Sequence, residues 1–276
     1  MLDRTFSLKS ARDPKVTIAP SWLNAHRTSK QVAILDARSR GAYRRSHILG
    51  AVHADLFHYF VPGTDPEGLR KFQEDLARRL GTMGLSGKET IVVYESGFGM
   101  RAARVAWMLE YAGAHRVFLL EGGFRAWQKS HYPTAKTFER PVAQNFQIRP
   151  VSRLLATADQ VRSSRNSVIL DVRSQGEFNG IEKRECDTRR GRIPRAHWIE
   201  WTSFHNGERF KTPSEMKTIL RKNGVSRDKE IVTYCHRGAR AASAFYALRS
   251  LGYRNVKNYV GSWHEWSARK TLPVVK

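Results

Sequence analysis

The chain reads as an α/β protein of two similar halves, each a mostly parallel sheet flanked by helices. Short apolar runs alternate with stretches of helical period, as where Leu69, Phe72, Leu76 and Leu80 precede Ile91-Val92-Val93-Tyr94, and such alternation marks strand–helix–strand units. Segments between residues 34 and 127 recur in the same order between residues 169 and 266, which indicates duplication. At 276 residues the chain can form two domains that each bury a core without disulfides.

In chain order, Ile34-Leu35-Asp36-Ala37-Arg38-Ser39 is answered by Ile169-Leu170-Asp171-Val172-Arg173-Ser174, a strand followed by a polar turn. His47-Ile48-Leu49-Gly50-Ala51 is answered by Arg192-Ile193-Pro194-Arg195-Ala196. The strand ending Tyr94-Glu95 is answered by the one ending Tyr234-Cys235, and Glu121-Gly122-Gly123-Phe124-Arg125-Ala126-Trp127 by Val260-Gly261-Ser262-Trp263-His264-Glu265-Trp266. Between the halves, Glu139 to Pro150 is polar, bounded by Pro141 and Pro150, and has no helical period. The expected domains are therefore 1–138 and 151–276, joined by a linker over 139–150.

Lys and Arg number 48 against 25 Asp and Glu, for a net charge of +23, which points to an anionic substrate or nucleic acid. The surplus is spread, 22 basic against 13 acidic side chains up to residue 140 and 26 against 12 beyond it, with no basic tail. Its densest cluster, Lys183, Arg184, Arg189, Arg190, Arg192 and Arg195, reads as a solvated loop or as a steering field for small anions. Without interleaved aromatic and basic residues, nucleic acid is not the expected partner. Two cysteines, Cys186 and Cys235, fit a reducing compartment and are too few for a four-cysteine zinc site; no paired-histidine motif compensates, so no metal is expected. No apolar run approaches a membrane span. Arg4, Ser7, Lys9, Ser10 and Arg12 make the mitochondrial matrix an alternative to the expected cytoplasm, a signal weakened by Asp3 and Asp13.

Cys235-His236-Arg237-Gly238-Ala239-Arg240 places a thiol between the strand ending at Tyr234 and a helix carrying Ala241, Ala244, Phe245, Leu248 and Leu251. Loop amides and the unsatisfied N–H groups of a helix's first turn stabilise negative charge, and Arg237, Arg240 and His236 add positive charge. A reactive thiolate is expected, the alternative being a buried structural cysteine. In the first half Glu95 stands where the second has Cys235. A carboxylate cannot serve as a sulfur nucleophile, so the first half should be catalytically silent and form a wall of the cleft.

These residues together resemble the tandem-domain rhodanese family, the thiosulfate and 3-mercaptopyruvate sulfurtransferases. The six-residue Cys235 loop and Gly261-Ser262-Trp263-His264-Glu265-Trp266 carry the resemblance most specifically; Asp171-Val172-Arg173 and His47-Ile48-Leu49-Gly50-Ala51 add to it. It implies two rhodanese-like domains, no cofactor, and transfer of sulfane sulfur from a small anionic donor through a Cys235 persulfide. The acceptor would be cyanide, a thiol, thioredoxin or a sulfur-carrier protein, and the chain is expected to be a monomer. His236, Arg237, Gly238, Ala239 and Arg240 would bind the donor. Arg237 aligns with the loop lysine of the thiosulfate-type pattern, whereas mercaptopyruvate enzymes carry a small hydroxyl residue there; thiosulfate is favoured, with mercaptopyruvate the alternative. Glu177 stands where some animal thiosulfate enzymes carry a substrate-binding arginine.

A phosphatase loop would place five residues between cysteine and arginine, whereas His236 to Ala239 are four. A basic binding module on the same scaffold is the remaining alternative. Asp171 is expected to support the active loop, or else to serve as a turn or cap residue, and Arg173 to pair with Asp171 or Glu177. Trp263 and Trp266 read as packing residues, Glu265 as a tie to neighbouring backbone, and Cys186 as an exposed bystander or a resolving thiol.

Overall fold

The computed structural model describes residues 15–54 and 56–276. The presequence-like Arg4, Ser7, Lys9, Ser10 and Arg12, with Asp3 and Asp13, lie outside the described residues.

The first half runs β1 (Thr17–Ile18), α1 (Pro20–His26), β2 (Val32–Asp36), α2 (Arg40–Arg45), β3 (His47–Ile48), β4 (Val52–His53), α3 (Pro66–Thr82), β5 (Thr90–Tyr94), α4 (Met100–Tyr111), β6 (Arg116–Leu120), α5 (Gly123–Lys129) and β7 (Thr134–Ala135). Its sheet is parallel in the order β1-β6-β5-β2-β4, with β3 and β7 as a separate antiparallel pair. The second half runs α6 (Ala158–Ser163), β8 (Val168–Asp171), α7 (Gln175–Phe178), β9 (His197–Trp198), β10 (His205–Asn206), β11 (Arg209–Phe210), α8 (Pro213–Lys222), β12 (Ile231–Tyr234), α9 (Ala239–Ser250), β13 (Val256–Asn258) and α10 (Ser262–Ala268). Its sheet is parallel in the order β13-β12-β8-β9, and a single bridge from Leu155 to Asn258 takes the place of β1. The duplication legible in the sequence is thus a duplicated α/β fold.

Both faces of each sheet are buried, which is why the strands read as unbroken apolar runs. Along β5, Ile91 and Val93 enter one core while Val92 and Tyr94 enter another; along β8, Val168 and Leu170 oppose Ile169. The core that receives Ile91, Val93, Val168 and Leu170 is common to both halves, and within it α4 packs against α9. Ala102, Ala103 and Ala106 on one helix and Ala241, Ala242 and Ala244 on the other let the two axes come close.

Residues 139–150 have no regular structure but are fastened to the first half: Gln144 N donates to Gly81 O and Arg149 N to Ala112 O, each at 2.9 Å, and Phe146 is buried. A Cβ on Gly81 would stand 2.5 Å from Gln144 O, so the close approach requires glycine there. Among the described residues no helix is long and apolar enough to cross a membrane.

Candidate active site

Cys235 follows β12 directly, at the carboxyl edge of its sheet, and is 1% exposed. Gly238 precedes α9 at φ 81°, where a Cβ would meet the backbone of Val260 at 3.1 Å. Asn258 Nδ2 donates to Gly238 O at 3.1 Å. Ser262, itself at φ 54°, accepts from Cys235 N at 3.1 Å and donates to Tyr259 O at 2.7 Å. Trp263 N and His264 N donate to the carbonyls of Cys235 and His236 at 2.9 and 3.0 Å. The loop's carbonyls are thereby held by α10 and β13, and among the described residues the N–H groups of His236 to Arg240 have no acceptor. Gathered at the start of a 12-residue helix, they form a cradle for an anion.

The arginines around this cradle divide sharply. Arg173 is fully engaged, its Nη2 2.6 Å from Asp171 Oδ2 and 2.8 Å from Gly191 O. Arg240 makes a two-pronged contact with Glu177, Nη1 to Oε2 at 2.6 Å and Nη2 to Oε1 at 2.9 Å. Burial opposes ionisation of Glu177, yet the Arg240 hydrogen bonds and charge hold it down to about 2. Arg189 donates to the carbonyls of Trp266, Ser267, Arg269 and Leu272. Two arginines remain uncommitted. Arg237 lies over the ring of Phe60 at 4.1 Å, and its buried Nε has no hydrogen-bond partner. Arg104 reaches in from α4 of the first half, is 6% exposed, and its Nε likewise has no partner. Burial pulls Arg104 down to about 10; Cys235 raises it and Arg237 lowers it further, so all three lie within electrostatic reach of one another. Neither Arg104 nor Arg237 has a carboxylate partner among the described residues. Both line a narrow crevice with Val61, Trp107, Gly238, Asn258 and Val260.

A family model described as rhodanese-like domain matches residues 19–130 and again residues 155–269. The chain belongs to the rhodanese-like family. It is 30% identical over 271 residues to the 3-mercaptopyruvate sulfurtransferase of Escherichia coli (strain K12), covering 93% of this chain and 96% of that relative. It is 29% identical over 270 residues to the thiosulfate sulfurtransferase of Azotobacter vinelandii, covering 94% and 96%. The crystal structure of SseA from Escherichia coli, described with the rhodanese fold and the mechanism of 3-mercaptopyruvate sulfotransferases, matches with a TM-score of 0.78 at 27% identity, covering 91% of this chain and 99% of that one. The chain is thus a sulfurtransferase-family protein with two rhodanese domains. Its relatives divide between two donors at near-equal similarity, so donor choice rests on the site itself.

The first rhodanese domain answers its own anion cradle. Glu95 occupies the place of Cys235, and its Oε2 accepts from Ala102 N at 2.7 Å in the first turn of α4. Burial raises its pKa while amides of Ala102 and Arg101 oppose the rise. The carboxylate fills the space within its own loop: a Cβ on Gly99 would stand 2.3 Å from Glu95 Oε1.

The other site residues expected from sequence have partners within the protein. Arg240, expected to bind the donor, is paired with Glu177, so its charge is already answered inside the protein. Asp171 does not reach the loop amides; it accepts from Arg173 and from the hydroxyl of Tyr234, the residue before Cys235. The same fork, Asp36 with Arg38 and Tyr94, recurs in the half without the cysteine, which marks it as a feature of the fold. His236 is buried with Nε2 3.0 Å from Asp187 Oδ1. Within the basic cluster Arg189 is bound to carbonyls, Arg192 lies over Phe178 at 4.6 Å and Arg195 donates to Ser164 O, so these side chains are held in place while keeping their charge. Trp263 and Trp266 are packing residues, each 1% exposed, and Glu265 ties α10 to Thr64 N of the first half at 2.8 Å. Sequence reasoning missed Arg104. The available signal was a lone arginine in the otherwise apolar Ala102-Ala103-Arg104-Val105-Ala106-Trp107.

Proposed function

We propose that the chain is a thiosulfate sulfurtransferase in which Cys235 is the nucleophile. The thiolate attacks the outer sulfur of thiosulfate; the bond between the two sulfurs breaks, its electron pair leaves with sulfite, and a persulfide remains on Cys235. A thiophilic acceptor, cyanide in the laboratory, then takes the outer sulfur and returns the thiolate. The open amides of His236 to Arg240 would hold the persulfide's negative charge.

One observation carries the choice of donor: two arginines, the buried Arg104 and the half-buried Arg237, flank the crevice beside Gly238 with no carboxylate partner among the described residues. A dianion matches two such charges, whereas the single carboxylate of mercaptopyruvate would leave one unanswered. Thiocyanate production from thiosulfate and cyanide, run beside pyruvate production from 3-mercaptopyruvate, tests this reading. A higher kcat/KM for thiosulfate is expected; a preference for mercaptopyruvate would reject it.

A further inference from the structure

We propose that Cys186, Asp187, His236 and His264 form a binding site for one zinc-type divalent cation beside the nucleophile loop. One thiol sulfur, one carboxylate oxygen and two imidazole nitrogens, one from each residue, all lie within 4.8 Å of one another. Cys186 Sγ is 3.5 Å from His236 Nε2, and Asp187 Oδ1 is 3.0 Å from the same nitrogen. The two imidazoles meet edge to face at 72°, with ring centres 5.7 Å apart, so they converge rather than stack. His264 Nδ1 is buried with no hydrogen-bond partner, a polar atom that the protein itself leaves unanswered.

The donor set selects the metal. Zinc takes four ligands at about 2.0–2.3 Å in a tetrahedron, which puts neighbouring donors about 3.3–3.8 Å apart. Donors already within 4.8 Å need only a modest contraction to reach that shape. A thiolate and two imidazoles disfavour calcium and magnesium, which take oxygen ligands. Cys186 is exposed, giving a metal a path from solvent. The surroundings are basic, with Lys183, Arg184 and Arg237 close in sequence or space, but the thiolate and Asp187 bring two negative charges that balance the cation's own.

The site joins three segments that no sequence spacing links: the turn holding Cys186 and Asp187, the nucleophile loop through His236, and α10 through His264. Too few cysteines for a four-cysteine centre therefore did not exclude a mixed one.

The test is binding, and it is independent of sulfur transfer. Metal-free full-length protein is titrated with zinc against a chromophoric chelator, and with cobalt(II) as a spectroscopic substitute. One zinc per chain is expected, with tetrahedral cobalt bands and a thiolate charge-transfer band that is lost in Cys186→Ser. Cys186→Ser and His264→Gln, each checked for native circular dichroism, should weaken zinc binding by about tenfold or more. No zinc uptake at micromolar concentration would overturn the proposal. So would zinc that survives both substitutions and disappears in Cys235→Ser, because the metal would then sit on the nucleophile.

Discussion

Arg104 carries a positive charge into the crevice beside Arg237 and Gly238 with no carboxylate among the described residues to answer it. Such a charge destabilises the resting fold unless a ligand anion supplies the partner. Arg104→Met should therefore lower kcat/KM for thiosulfate by about ten- to hundredfold, the worth of charged hydrogen bonds of about 1.5–3 kcal/mol, while the thermal midpoint holds or rises. A loss of stability equal to the loss of activity would make Arg104 merely structural. Ser262 is a second residue-scale case. It occupies φ 54° where the first half has Gly123 at φ 58°, and its hydroxyl accepts from Cys235 N. Ser262→Ala keeps the unfavourable backbone angle and loses the hydrogen bond, which should cost about 1–2 kcal/mol in a denaturant titration, whereas Ser262→Gly relieves the angle and should cost less. The position of Cys235 between a strand and a helix was legible in the sequence because the pattern on either side of the loop is local. Arg104 was not, because the crevice it lines is completed by Arg237, Gly238, Asn258 and Val260 of the other half.

At the scale of elements, alternation of apolar runs with helical periods was enough to place the central strands and α3 and α9, since short apolar runs between turn residues suit parallel strands buried on both faces. The Glu177–Arg240 pair was harder to see because Glu177 serves two elements. Ser174-Gln175-Gly176-Glu177 is a capping box that starts α7, with Ser174 Oγ accepting from Glu177 N and Glu177 accepting from Ser174 N. The same carboxylate then reaches across to Arg240 at the start of α9. Its cap was readable from the sequence, but its second partner lies 63 residues away. With its pKa held down to about 2, the carboxylate stabilises the fold fully above its ordinary value of 4.5, and that contribution fades as pH falls towards 2. Glu177→Gln should cost about 3 kcal/mol at neutral pH by leaving Arg240 buried and unpaired. Equal unfolding midpoints for variant and parent at pH 7 would contradict the pairing.

Over the whole molecule, the two halves share one core, and their contact also carries a titratable group. His205 packs against Phe98 of the first half and lies 3.0 Å from Ser243 Oγ through Nε2. Burial, then Lys211, pulls it from 6.5 to about 4. Between those values the unfolded chain binds a proton that the folded chain refuses, so stability falls as pH drops through that window and the loss is complete below it. His205→Gln should flatten the dependence of the urea midpoint between pH 6.5 and 4; an unchanged slope would show that the group does not titrate as described. Duplication was legible because the matching segments keep their order, and the sequence also shows Glu95 at the position that holds Cys235 in the second half. How the halves face each other was not legible, since the small residues of α4 and α9 fit any close helix pair. Whether sulfur is carried on Cys235 is read by intact-protein mass spectrometry after incubation with thiosulfate. One added sulfur, mapped to the peptide containing Cys235, removed by cyanide and absent from Cys235→Ser, is the predicted result; an unchanged mass, or sulfur carried on Cys186 in the Cys235→Ser protein, would contradict it.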